Sequence, residues 1–406
     1  MIQIVDSYHP TQADELQKCQ AALQEVFKRK ELGFFQVPER QELWDAAEKI
    51  GKKYAELADD LVVVGIGGSS LGPKALYEIF EDPLSSKRIH FCDNVDALEF
   101  ERLWKRLRHP GRTSWAFISK SGSTIETLVA ADLIHQRYQK LQLPLLATVI
   151  SEHKSNPLTD WGKKNQFEFL EIPVDVGGRF SVLTAVGMFP MAFLGLPISE
   201  FQKGARQALK SSSLIAESMA QTRQSFARQE WITFFWFYSS SCQNLGRWLQ
   251  QLWAESLAKT VDRQGKEAPR VSTPMWGIGS SDQHSLLQQL MDGARDKLIV
   301  FCRVRQIEGS GDKVDKSIFN NQDFFNGFTM GNLIAAQSQG TRQALNEQKV
   351  STLTLMLDDL SPRSLGFQMM SWQLVVAGLG ERLDMNAFDQ PGVELGKRLA
   401  KKILQS

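Results

Sequence analysis

The chain is predicted to be an α/β protein of two doubly wound, mostly parallel-sheet domains with a C-terminal helical tail. Three observations carry that expectation. From about residue 40, strand-like apolar runs alternate with helical runs, the rhythm of a parallel sheet covered by helices. The strand candidates are apolar almost throughout, as strands buried on both faces must be. The rhythm returns less cleanly in the second half, and 406 residues suffice for two ordinary domains.

The first forty residues read as helix. Leu61-Val62-Val63-Val64 is β-branched and fully apolar, a buried strand. Lys74 to Phe80 follows as helix, Arg88 to Cys92 as strand, and Ala97 to Leu107 as a charged amphipathic helix. Trp115 to Ser119 is strand, Ile125 to Lys140 helix, and Leu145 to Ser151 and Phe167 to Ile172 are strands. Ala185 to Leu209, helical but interrupted by Pro190 and Pro197, is the linker candidate. Beyond it, Ile232 to Tyr238, Leu298 to Val304 and Ser351 to Leu357 are strands, with helices at Gly246 to Ala258 and Ser285 to Met291, and a helical tail follows Gly380. The implied division is a helical segment at 1–40, domains at 41–190 and 191–380, and a C-terminal loop and helix at 381–406.

Composition narrows the function. Hydrophobic content of 42% and charged content of 23% are those of a soluble globular protein. A net charge of +1 lacks the clustered basic excess of a nucleic-acid binder. Met1-Ile2-Gln3-Ile4-Val5-Asp6 has no signal pattern. The most apolar run, Trp231 to Tyr238, is far short of the ~20 residues that span a bilayer. Cys19, Cys92, Cys242 and Cys302 have neither metal nor disulfide spacing, so reduced thiols in a cytoplasmic protein are expected, with no metal and no membrane partner.

The chemistry concentrates in five segments. Ser119-Lys120-Ser121-Gly122-Ser123-Thr124 follows a strand and precedes a helix. Hydroxyls and free N–H groups at a helix N-terminus favour an anion, through unsatisfied donors and the helix dipole. Helix capping would use one hydroxyl and leave three over, so the loop reads as a phosphate site. Gly65-Ile66-Gly67-Gly68-Ser69-Ser70-Leu71-Gly72 follows the first strand, and would open at the same carboxyl edge. It is neither a dinucleotide fingerprint, since Ser70 stands where a third glycine belongs, nor a Walker loop. Gly177-Gly178-Arg179 can present a guanidinium and backbone N–H groups to developing negative charge, or be a tight turn with a surface arginine. Phe388-Asp389-Gln390-Pro391 is a turn, and Lys397 lies two helical turns beyond Gln390. Last, Glu255 in Ala254-Glu255-Ser256-Leu257-Ala258-Lys259 and His284 in Ser281-Asp282-Gln283-His284 would suit proton transfer opposite the phosphate site. His284 is the only histidine in a small polar loop before a helix, with His153 its one competitor.

Together, in this order, these segments resemble the glucose-6-phosphate isomerase family over residues 65 to 397. The Gly177-Gly178-Arg179 and Asp389-to-Lys397 segments are specific to it, and the serine loop is shared with other sugar-phosphate isomerase domains. The resemblance implies two sugar-isomerase domains of the flavodoxin-like sort, a homodimer, no cofactor, and interconversion of glucose and fructose 6-phosphates in glycolysis and gluconeogenesis. It implies that Ser69, Ser119, Ser121 and Thr124 hold the phosphate with Gln390 beside it, and that the backbone of Gly68 and Gly178 meets substrate. By the same resemblance Arg179 stabilises the enediolate, Glu255 is the base, and His284 and Lys397 assist ring opening. Two departures stand out. Long members carry Trp-Gly-Glu-Pro where this chain has Trp276-Gly277-Ile278-Gly279, and the Glu-Ser-x-Gly-Lys pattern of short members has Ala258 for its glycine. A bifunctional phosphoglucose/phosphomannose isomerase and a non-catalytic sugar-phosphate sensor are the rival readings.

Overall fold

The computed structural model describes residues 2–319, 321 and 323–405. Its first half contains β1 (Ile2–Ser7), α1 (Ala13–Lys28), α2 (Gln41–Leu57), β2 (Asp60–Val64), α3 (Leu71–Phe80), β3 (Arg88–Cys92), α4 (Ala97–Arg106), β4 (Thr113–Ile118), α5 (Ile125–Leu141), β5 (Leu146–Ser151), α6 (Pro157–Lys164) and β6 (Glu168–Glu171). There follow α7 (Ala185–Phe193), α8 (Ile198–Leu209), α9 (Ser212–Ala227), β7 (Ile232–Phe237), α10 (Gln243–Leu257), β8 (Thr273–Ile278), α11 (Leu287–Asp292), β9 (Lys297–Val304), α12 (Met330–Glu347), β10 (Ser351–Leu357), α13 (Pro362–Arg382) and α14 (Glu394–Gln405).

The strands form two five-stranded sheets, β3-β2-β4-β5-β6 and β1-β10-β9-β7-β8. The first is parallel throughout, and so is the second except for β1, which runs antiparallel to β10. The α/β expectation therefore holds, and β3 and β10 begin and end where the apolar runs predict. Every residue of β2, β4, β9 and β10 is buried, and most of them are apolar, as strands covered on both faces require.

Three features differ from the sequence reading. The first forty residues are not uniformly helical: β1 adds an edge to the second sheet by pairing Ile2 with Leu357 and Ser7 with Leu353. Its isolated six residues carry no helical signal, and only β10, some 350 residues away, makes them a strand. The second departure is Ala185 to Leu209, which is not a linker. Every residue of α7 is buried, Pro190 included, and α7 packs along α2. The third is β8, which hides behind Pro274 and Gly277; as an edge strand bonded only to β7, it tolerates both.

One continuous core fills the space between the sheets, and includes residues of α1, α2, α7, α8, α9, α10 and α13. Smaller clusters cover the outer faces, around Trp115 and Phe117 on the first sheet and Trp236 and Phe301 on the second. At the centre lies α13, buried from Ser364 through Gly380. A helix enclosed on all sides shows no amphipathic stripe, which is why its start well before Gly380 was not predicted. Its Gln373 donates to the carbonyl of Phe180 at 2.8 Å, fixing the segment that carries Arg179. Among the described residues no helix is long and apolar enough to cross a membrane.

Candidate active site

The serine-rich loop caps the carboxyl end of β4, whose six residues are all buried. Ser119 itself is buried, and its Oγ accepts from the Gly122 N–H at 3.1 Å and pairs with Thr124 Oγ1 at 2.8 Å. Gly122 has φ of +66°, and a Cβ there would lie 1.7 Å from Asn156 Oδ1, so only glycine allows this turn. Thr124 is the N-cap of α5, yet its side chain makes no capping bond. The hydroxyl is thus not spent on capping, and the N-terminal N–H groups of a 17-residue helix remain directed at the loop. Ser121 Oγ accepts from the Ser123 hydroxyl at 3.0 Å.

The first and third segments meet directly. A Cβ on Gly68 would lie 2.3 Å from the Gly178 carbonyl oxygen and 2.8 Å from the Arg179 nitrogen. Gly68 is therefore demanded by this backbone crossing, whereas a Cβ on Gly178 would meet nothing within 4 Å. That crossing aims Arg179 inward.

Arg179 is buried, and each of its five N–H groups has an acceptor. Nε donates to Ser256 Oγ at 2.7 Å, and Nη2 to the carbonyls of Ala387 at 2.6 Å and Asp389 at 3.0 Å. Nη1 donates to Glu255 Oε2 at 3.4 Å and to Gln390 Oε1. Burial pushes the guanidinium below its ordinary value while Glu255 and Asp389 pull it back up, and it stays charged. Glu255 lies on the last turn of α10 with its side chain 31% exposed, and its other oxygen accepts from Gln251 Nε2 at 3.1 Å. The result is an oriented carboxylate beside a fixed cation, with Gln251 against Gly67 and the Arg179 backbone against Gly68.

Three participants escaped the sequence reading. Gln251 stands one helical turn before Glu255 and against Gly67, with its Oε1 buried and unbonded among the described residues. Ser256 receives Arg179, and Lys259 donates to the Glu255 carbonyl at 2.9 Å. The i−4 spacing from Glu255 was the available signal for Gln251. The alanine at 258 also finds its explanation: its φ of −76° and ψ of 104° suit any residue.

The four residues given catalytic roles do not all come together within this chain. Arg179 and Glu255 meet, but His284 and Lys397 lie elsewhere. The reason for His284 is topological. Helix α10 leaves the carboxyl end of β7 and runs back before the adjacent parallel β8 begins, so Glu255 ends at the amino edge of the second sheet. His284 follows the carboxyl end of β8, where it is exposed. A helix of 15 residues separates those edges by about 22 Å. Lys397 belongs to α14, whose described residues are all exposed, and its Nζ bonds only Glu394 Oε1, at 2.9 Å, among the described contacts. Gln390 is held by Arg179 rather than by the serine loop. Ser69 ends a short turn after β2, half-buried and in contact range of Gly65.

A family model described as phosphoglucose isomerase matches residues 36–406. The chain is 33% identical over 393 residues to a glucose-6-phosphate isomerase of Thermus thermophilus, covering 92% of this chain and 90% of that one. Among solved structures, a hypothetical protein from Thermus thermophilus superposes with a TM-score of 0.90 at 30% identity, covering 100% of both chains. A glucose-6-phosphate isomerase from Chlamydia trachomatis superposes with a TM-score of 0.76 at 25% identity, covering 90% of this chain and 73% of that one.

Proposed function

The chain belongs to the phosphoglucose isomerase family, and from that premise we infer that it interconverts D-glucose 6-phosphate and D-fructose 6-phosphate. The observation that carries the mechanism is the pairing of Glu255 with a buried Arg179 beside the Gly68–Gly178 crossing and the serine loop. The relatives described above carry the name of the single-substrate isomerase, which favours neither a bifunctional enzyme nor a sensor.

The loop around Ser119, Ser121 and Thr124, with Ser69, takes the phosphate and sets the sugar in register. Once the ring is open, the Glu255 carboxylate removes the proton at C2 and returns it to C1 on the same face. Positive charge on Arg179, already in place, stabilises the enediolate oxygens as their charge develops, without reorganisation during the reaction. Holding the phosphate makes the transfer intramolecular. Oxidation at one carbon balances reduction at its neighbour, so the reaction needs no external oxidant or reductant.

Every Arg179 donor is engaged in the free protein, so one must change partner when the enediolate forms. Gln390 is the exposed partner, and turning its amide toward the phosphate frees Nη1 for the sugar. His284 and Lys397 assist ring opening, with His284 supplied by the second copy of a homodimer and Lys397 carried in by α14. A glycolytic and gluconeogenic role in the cytoplasm follows from the substrate pair.

The test is a coupled assay of the purified protein with fructose 6-phosphate beside mannose 6-phosphate. Turnover of the first alone is expected. Turnover of both would establish the bifunctional enzyme, and binding with no turnover would establish a sensor.

A further inference from the structure

We propose that Lys259 is a positioning residue that tethers the turn bearing Gln390 to the helix bearing Glu255. Its Nζ has three donors and three acceptors around it. It donates to the Glu255 carbonyl at 2.9 Å, to the Asp389 carbonyl at 2.6 Å, and pairs with the Asp389 carboxylate at 3.1 Å. The side chain is only 6% exposed, deep for an ammonium, and burial lowers its pKa while Asp389 opposes that shift.

The geometry does two things at once. At the end of α10, Lys259 satisfies a carbonyl that the helix leaves open, and its charge suits the negative end of the helix dipole. It also shares the Asp389 carbonyl with Arg179 Nη2, so two cations grip one oxygen from opposite elements. Asp389 is further braced by Asn386, whose amide donates to its second carboxylate oxygen at 2.9 Å. Beyond this turn, among the described residues, α14 packs chiefly against its own leading turn, Pro391–Val393. Residues 387–389 thus moor the start of the C-terminal segment, and Lys259 holds them through the carbonyl and carboxylate of Asp389.

The proposal rests on the isomerase reading, and one of its tests does not. Hydrogen exchange of the free protein reads the tether directly. Exchange across residues 386–393 should rise about tenfold in Lys259→Met and return toward wild type in Lys259→Arg, with melting temperature nearly unchanged. In the isomerase assay, Lys259→Met should raise KM for fructose 6-phosphate about tenfold, with kcat within about threefold, because a loosened Gln390 weakens binding. Asp389→Asn, which removes only the ion pair and leaves the bond to the Asp389 carbonyl, should act in the same direction but less, and combining it with Lys259→Met should add little, since the ion pair is already lost in that variant. Unchanged exchange, additive effects, or loss of kcat at constant KM would each overturn the tether. If wild type turns over neither sugar phosphate while exchange still rises in Lys259→Met, the tether stands and the isomerase reading falls.

Discussion

The serine-rich loop hangs from a strand buried along its whole length and is internally bonded, hydroxyl to hydroxyl and hydroxyl to N–H. The C-terminal helix, by contrast, has every described residue exposed and packs chiefly against the turn before it. Both regions carry motifs of the resemblance, yet only the first is braced by contacts along its whole length. The difference teaches where rigidity is required. A phosphate can be gripped by a site built in advance, because its shape does not change during reaction. A ring that must open and then rearrange needs groups that arrive after it binds.

That division assigns kcat to Glu255 and Arg179 and KM to the loop, and substitutions can break it. Glu255→Gln keeps the shape and the Gln251 and Arg179 neighbours but removes the base. A fall in kcat of about a thousandfold or more is expected, with sugar-phosphate binding nearly intact by calorimetry. Wild-type turnover would move the base elsewhere. Arg179→Ala should lower kcat about a hundredfold, more than it raises KM. A KM effect alone would make Arg179 a phosphate ligand. Ser119→Ala should raise KM about tenfold and leave kcat within about twofold, as one lost hydroxyl contact to phosphate implies. If its kcat fell as far as that of Glu255→Gln, loop and chemistry could not be separated.

The smallest effect concerns the frame around Arg179. Asp175, two residues before Gly177, accepts from Arg40 at 2.9 Å through Oδ1 and 2.5 Å through Oδ2. That bond holds its pKa below the ordinary aspartate value of 3.8. A depressed carboxylate contributes stability above its unfolded-state value and loses it as pH falls through the folded one. Asp175→Asn should therefore melt a few degrees below wild type near neutrality, with the gap closing below about pH 4. Melting curves across that range test it, and a gap independent of pH would remove the ion pair as its cause.

Much of the fold was legible because buried parallel strands announce themselves as apolar runs, as β2 and β9 do. The segments that were missed depend on partners distant in sequence. β1 becomes a strand only against β10, β8 carries a proline an edge can accept, and α13 lacks a polar face because nothing around it is solvent. The site shows the same split. Ser119, Gly68, Gly178, Arg179 and Glu255 could be named from short motifs, since a phosphate, a backbone crossing and a base each demand particular residue types. Ser256 and Lys259 stand in the same motif, but their roles could not be read there, because an ordinary serine and lysine acquire meaning only from what they touch.

The amino-acid sequence by itself determined that a hydroxyl-rich loop crowns a buried strand, that two glycines precede an arginine, and which family that order of motifs resembles. Those are local demands of turn geometry, helix ends and hydrophobic period. Tertiary structure alone decided that Gly68 crosses Gly178, that Glu255 meets Arg179, and that His284 ends at the far edge of its sheet. A helix that runs antiparallel to its strands delivers its two ends to opposite edges, and no short motif contains that length.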